Sequence, residues 1–228
     1  MLFSNETVAK FINENFEAAW ESVRPVPMIH MDFGNGKTIT RTLSGNIATY
    51  LCTPDGQVLD VVCGVYDAPT YLDRLSQGRL LAHYVSHRAG QNEILVGDRQ
   101  MRLKQYHHSM AEAQEKKAPP PRLVNLADRS KAVVEGGVKA VLVSHSSAPP
   151  ALEETGTEKD RLGELLEEDR KLNETERRLA IHQLLRDTDS VKPHDIYKRI
   201  YKDILHADLD DPYLGLGHLV WVGPQPPL

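Results

Sequence analysis

The side chains able to do chemistry in this chain of 228 residues are two cysteines, ten scattered histidines and one acidic turn. Cys52 and Cys63 lie on either side of a turn in YLCTPDGQVLDVVCG (50–64). Such a pair is a redox couple, a structural disulfide, or two small apolar side chains in a sheet. Redox use calls for C-x-x-C spacing or a basic neighbour that lowers the thiol pKa, and neither is present. His83 and His87 are four apart, a helical metal spacing, but no Glu follows His83 and no third ligand is evident. His107 and His108 are adjacent, so on a helix they diverge by about 100° and read as a solvated face. HADLDDPYLGLGH (206–218) gathers His206, Asp208, Asp210, Asp211 and His218. Their oxygens suit a hard cation, although the Gly and Glu positions of an EF-hand loop are wrong. The same letters describe a helix end stabilised by His206 and a turn whose Asp side chains bond backbone amides. Ser44 and Ser144-His145 lack a G-x-S-x-G elbow. Gly34 and Gly36 in FGNGKT superficially resemble a phosphate loop, but the spacing is absent and a two-residue Asn-Gly turn accounts for them. No catalytic residue and no cofactor are therefore expected; His206, Asp208, Asp210 and Asp211 remain the candidates for a metal.

Composition narrows the classes further. With 40% hydrophobic and 26% charged residues the chain is ordinary globular protein. A net charge of −5 gives no basic footprint for nucleic acid. No run reaches the roughly 18 apolar residues that span a bilayer. Two cysteines do not make a disulfide scaffold. The start, MLFSNETVAKFINENF, lacks the basic region and apolar core of a signal peptide, so a cytoplasmic location is the default, void if residues precede Met1.

The elements that must position these residues follow from periodicity and punctuation. Residues 5–16 read as an amphipathic helix with Val8, Ile12 and Phe16 on one face and Ser4 or Asn5 as cap. MIHMDF (28–33) and KTITRT (37–42) read as strands joined by a turn at GNGK. NIATYLC and QVLDVVCG flank TPDG as a hairpin. Asp67 caps a helix with Pro69 in its first turn, running to about Gly90, with Leu72, Leu75, Leu80 and Leu81 toward the core. Residues 98–117 form another helix, ended by KKAPPPR. GGVKAVLVSH (136–145) holds a short buried strand, and 146–157 is linker in composition. Helices are expected in DRLGELLEED, in NETERRLAIHQLLRD with Asn173 and Glu176 as a capping box, and over 192–206 with Ile196, Ile200 and Ile204 on one face. The division expected is 1–117, a linker over 118–157 with one strand, and a helical region over 158–228. Trp20 either rests on the sheet as core or, exposed, marks a contact site.

The turn fixes the cysteine geometry. Pro54-Asp55-Gly56 as a three-residue loop pairs Thr53 with Gln57 and Cys52 with Val58, which sets Cys63 opposite Ile47. Five residues of strand separate the thiols by roughly 15 Å, on opposite faces by parity, whereas a disulfide needs Cα atoms within about 7 Å. Two small apolar side chains is the reading.

SNETVAKFINENF followed by a strand, the hairpin YLCTPDGQVLDVVCGVY and the acid-capped helix DAPTYLDRL resembles the later part of a thioredoxin-like domain. FINENFEAAW with TYLCTPDGQVLD is most like the thioredoxin-like region of selenoprotein N and its bacterial relatives, over about residues 4–76. The resemblance implies an α/β fold with a small mixed sheet and a mainly helical C-terminal addition. It also implies a thiol–disulfide oxidoreductase, but the motif that would do the chemistry is upstream of the matching part. The family's cis-proline before the hairpin is replaced by Ile47 or Ala48. Only residues 34–46 join the second strand to the hairpin, short for a helical crossover, so the strands run as a meander there. The expectation is a redox-inactive, thioredoxin-like interaction or structural module. Its partner is another protein, or a second copy at an open sheet edge. The alternatives are part of an oxidoreductase whose Cys-x-x-Cys or Cys-selenocysteine motif lies upstream of Met1, and an enzyme or metal binder centred on 206–218.

Overall fold

The computed structural model describes residues 2–25, 28–32, 34–36, 38–42, 47–86, 96–125, 140–143 and 170–213. After a single 3-10 turn, Leu2–Ser4, helix α1 covers Glu6–Asn15. Asn5 caps it: its side-chain oxygen accepts from the backbone N–H of Thr7 (3.0 Å) and of Val8 (3.2 Å). Strands β1 (Met28–Asp32) and β2 (Thr38–Thr42) pair antiparallel, Met28 with Thr42 and Asp32 with Thr38. Residues 34–36 are described between these pairs, and in this register Gly34 stands across from Gly36 with Asn35 at the tip, not in a two-residue turn at Asn35-Gly36.

The hairpin β3 (Ala48–Cys52) and β4 (Val58–Cys63) closes as expected. Thr53 N–H donates to the Gln57 carbonyl at 2.9 Å, Gly56 N–H to the Thr53 carbonyl at 2.9 Å, and Gly56 takes φ +83. Cys52 pairs with Val58, but Leu51 then pairs with Asp60, leaving Leu59 as a bulge. The extra residue shifts everything beyond it. Cys63 stands opposite Ala48, not Ile47, and shares a face with Ala48, Tyr50 and Cys52. The expected opposite faces are thus corrected, and four residues, roughly 13 Å of strand, separate the two levels. Both cysteines are free, Cys52 exposed and Cys63 buried.

Helix α2 (Ala68–Ser86) begins at Asp67, whose carboxylate accepts from Thr70 N–H and Oγ1–H, both at 2.8 Å. Tyr71, Leu75, Leu81 and Val85 face inward, while Leu72 and Leu80 are half-buried; 87–90 lie outside the described residues. Helix α3 covers Val96–Glu115. The expected strand in 136–145 is β6 (Ala140–Val143), paired antiparallel with β5 (Arg122–Asn125), a strand the Pro-rich KKAPPPR hid. Gln77 of α2 secures β5 by accepting from Leu123 N–H (2.9 Å) and donating to its carbonyl (3.1 Å).

The linker 146–157 and all of DRLGELLEED (160–169) lie outside the described residues. Asn173 is not a cap. It opens a π turn, Asn173–Arg177, already inside helical backbone, and the helix continues as α4 (Arg178–Asp187). Asn173 is fully buried and donates to the Val65 carbonyl at 2.7 Å, tying the turn to the end of β4. Helix α5 (Pro193–Arg199) starts at its proline and runs into a second π turn, Ile200–Ile204.

β4 is buried along its length, and three apolar clusters meet on the hairpin. Val58, Val61 and Cys63 pack with Ile181, Leu185, Ile196, Ile200 and Ile204 of the C-terminal helices. Leu59 joins Leu81, Val85, Leu103, Tyr106 and Leu123. Leu51 and Val62 join Val8, Tyr66, Tyr71 and Leu75. The molecule is mixed α/β, richer in helix than in strand, with antiparallel strand pairs.

Gly64 ends β4 at φ +94, and a Cβ there would sit 2.3 Å from the Asn173 side-chain oxygen. Gly56 has a similar φ but open space around it. Gly64→Ala is therefore expected to cost about 2–4 kcal/mol in urea unfolding and Gly56→Ala only about 1 kcal/mol, the difference measuring the steric part.

Candidate functional site

The expected sites disperse in three dimensions. Asp208 pairs with Lys202 at 2.7 Å and accepts from Asp210 N–H; Asp210 pairs with Lys198 at 2.7 Å; Asp211 accepts from Tyr213 N–H at 2.8 Å. His206 sits at a helix end with φ +54. Asp208 and Asp211 thus bond turn amides, and Asp208 and Asp210 pair with lysines; His218 lies outside the described residues. His87 lies outside the described residues. Burial pushes the Cys63 thiol up to about 12 and raises that of Cys52, so neither is held as a nucleophilic thiolate.

The chemistry concentrates elsewhere, around one acidic residue of β4. Asp60 (β4), His107 (α3), and Arg178 and His182 (α4) meet in the interior, each at most 4% exposed. His107 is thus core and not the solvated face expected of it; only His108 is exposed. Arg178 donates to both Asp60 oxygens, Nη1 to Oδ1 at 3.0 Å and Nη2 to Oδ2 at 2.9 Å. Nη1 also donates to the Val61 carbonyl at 2.9 Å, and Asp60 Oδ1 accepts from Val61 N–H at 2.8 Å. Nη2 reaches His182 Nε2 at 3.0 Å, His182 Nδ1 faces His107 Nδ1 at 2.9 Å, and His107 Nε2 faces the Leu59 carbonyl at 2.9 Å.

Donor and acceptor chemistry fixes the protons. A carbonyl only accepts, so His107 carries its hydrogen on Nε2 and its Nδ1 accepts. His182 must then donate from Nδ1 and accept at Nε2, which suits Arg178, a donor only. Both imidazoles are neutral, and the chain runs from Arg178 through His182 and His107 to Leu59. The bulge matters here because it leaves the Leu59 carbonyl without a ladder partner.

Asp60, His107 and His182 place one ligand atom each within 4.8 Å of the others, a spacing that could hold a metal. The proton arrangement argues against that fit. Ligation through His182 Nδ1 would move the hydrogen to Nε2, against the Arg178 N–H, and both Asp60 oxygens are already bonded to a cation. The constellation does structural work: it satisfies the buried outer edge of β4 and joins it to α3 and α4.

Burial pushes the Asp60 carboxyl up, but Arg178 beside it holds it below the usual carboxylate range. Burial lowers His107 to about 4, and burial with the Arg178 charge lowers His182 well below its ordinary value. Burial also pushes Tyr106, whose ring abuts both imidazoles, up to about 12.

Comparison of the chain with protein-family models, with curated proteins and with solved structures gives no match.

Two outcomes are expected. Arg178→Met leaves Asp60 buried without its cation and should cost about 3–5 kcal/mol of stability, whereas Asp60→Leu with Arg178→Met together should cost much less. Both histidines have depressed values in the fold, so the unfolded chain binds the extra protons: their contribution is complete above about pH 6.5 and is lost as pH falls toward about 4. Urea titrations should show stability dropping by up to about 2.7 kcal/mol per pH unit in that window, with Asp60 adding its own loss only at lower pH.

Proposed function

We propose that the chain is an interaction module on a thioredoxin-like scaffold that carries no redox centre. The observation behind this reading is the presentation of Trp20. Residues 16–25 run with neither helix nor strand between two anchors. At one end Phe16 packs against the cluster around Val8. At the other, Arg24 donates to the carbonyls of Leu209 (3.3 Å), Asp211 (2.5 Å) and Pro212 (2.7 Å). Trp20, midway, is 90% exposed, and Val23 and Tyr213 beside the clamp are exposed as well. An indole held in water on a segment fixed at both ends gains nothing for the fold; it is the kind of aromatic anchor that dominates binding energy at protein interfaces.

The chemistry supports the same reading. The chain has no Cys-x-x-Cys, its two thiols are not activated, and its buried polar cluster is committed to structure. Self-association would use the outer edge of β3. Gly64 N–H donates to the Ile47 carbonyl, so alternate residues Ala48, Tyr50 and Cys52 turn their backbone groups away from β4. Among the described residues none is bonded to that edge, and a strand from another chain could add there. No helix among the described residues is long and apolar enough to cross a membrane. The oxidoreductase alternative would place its chemistry on residues upstream of Met1.

A photo-crosslinking residue at position 20 in cells, followed by binding measurements with the purified captured protein, tests the proposal. One discrete adduct is expected, with Kd weakened at least tenfold by Trp20→Ala, largely retained by Trp20→Phe, and with unfolding stability within about 0.5 kcal/mol of wild type. An unchanged Kd in Trp20→Ala would remove the proposal. Insulin reduction that depends on Cys52 or Cys63 would overturn its redox-inactive part.

A further inference from the structure

The His107–His182 bridge has no vacancy for a proton. A hydrogen added at His107 Nδ1 would sit against the His182 Nδ1–H across 2.9 Å, and one added at His182 Nε2 against Arg178 Nη2–H across 3.0 Å. Either breaks a hydrogen bond and places a second cation beside Arg178. Of the groups facing the pair, Arg74 of α2, paired with Glu174, adds a further cation against His182, and Tyr106 of α3 packs its ring on both imidazoles. Asp60 is the one charge that favours a proton on His107. The carboxylate at the pair itself is Asp60, and both its oxygens already accept from Arg178.

What such a break would release is set by the packing. Residues 170–213 form a contiguous layer seated on one face and one edge of the β3–β4 hairpin. The edge bonds are those of Arg178 and the 2.8 Å bond from Val58 N–H to the Val191 carbonyl. The clusters on the other side of the hairpin draw their buried residues from 8–123, with none from this layer. Other polar links hold the layer as well: Asn173 to the Val65 carbonyl, Gln114 of α3 to the Glu174 carbonyl, Lys104 of α3 to Asp189, and Arg24 to Leu209, Asp211 and Pro212. Among them the His107–His182 bridge is the one in which every nitrogen is already committed, and a unit contiguous in sequence is the form in which proteins open sub-globally.

We propose that the His107–His182 bridge is an acid-operated latch: proton uptake by the pair releases the 170–213 layer from the hairpin while the α1–α2–α3 side stays folded, uncovering the face that carries Val58, Val61 and Cys63. The two cysteines supply the readout. Cys52 is exposed in the closed form and Cys63 is 2% exposed beneath the layer.

The test follows the full chain with 4,4′-dithiodipyridine, which reacts with thiols at acid pH, normalising each rate to that of the unfolded chain at the same pH. Near pH 7.5 one thiol, Cys52, should react fast and Cys63 slowly. Between about pH 6.5 and 5 the protection of Cys63 should fall roughly tenfold per pH unit for each proton taken up, approaching a hundredfold for two. Hydrogen exchange should show α4 peptides losing protection over the same range while α2 peptides keep theirs. His182→Gln retains an acceptor for Arg178 and a donor for His107 without titrating, and should reduce the slope by one proton. Three results would each overturn the latch: constant Cys63 protection down to pH 5, α2 and α4 peptides losing protection in step, or an unchanged slope in His182→Gln. If that variant does not fold, the wild-type comparison of Cys63 with the α2 peptides decides by itself.

Discussion

A hairpin strand buried on its outer side has to find partners for the backbone groups that a third strand would have taken, since an unpaired buried amide or carbonyl costs several kcal/mol. β4 is such a strand. Val61 receives Asp60 on its N–H and Arg178 on its carbonyl, Leu59 receives His107 on its carbonyl, and Val58 gives its N–H to Val191. Side chains and a loop therefore replace the missing neighbour, and the remaining architecture follows from where they come. Arg178 must lie along β4, which fixes α4. His107 must reach the bulge, which fixes α3 against α4. β5 is held to α2 in the same manner, with Gln77 taking both backbone groups of Leu123.

This solution is demanding because it buries charge. An ion pair taken out of water is rarely a net gain over apolar packing, so its worth here lies in what it specifies. A hydrophobic residue at 178 would leave the Val61 carbonyl unpaired, whereas the guanidinium bonds that carbonyl and both Asp60 oxygens together and so ties α4 to one place on β4. The two neutral imidazoles extend the same tie to α3. Specification and acid sensitivity then have one origin, because a hydrogen-bond chain with a single consistent set of protons cannot accept another.

Local punctuation made much of the fold legible in advance. Asn5 and Asp67 are helix caps with their donors a few residues away, Pro54-Asp55-Gly56 is a turn with its own chemistry, and Pro193 starts α5. What escaped was set by distant partners. Nothing near VLDVV announces a bulge at Leu59, because the bulge is stabilised by His107, 48 positions away in sequence. Asp60 has no basic residue near it in sequence, since its partner Arg178 stands 118 positions later. Asn173 carries the letters of a capping box, yet tertiary contact with Val65 draws it into the interior of a helix. One signal was available: a lone Asp within an otherwise apolar buried strand requires a cation, and the charge-rich helix NETERRLAIHQLLRD carries arginine and histidine four apart on one face.

Separating the polar junction from the exposed aromatic surface clarifies what each can contribute. The junction is buried and its polar atoms are committed to one another, so it can report protons through stability but offers no free group to a substrate. Trp20 lies on a segment that contributes little to the clusters beyond Phe16, and it can be altered without cost to them. The Arg24 clamp nevertheless ties that segment to Leu209, Asp211 and Pro212, at the far end of the 170–213 layer. A movement of that layer would pull on the clamp or break it, so the presentation of Trp20 and the seating of the C-terminal helices are mechanically coupled through one guanidinium. Coupling of this kind needs no continuous pathway of conserved contacts, only one element whose two positions differ in what they hold at each end.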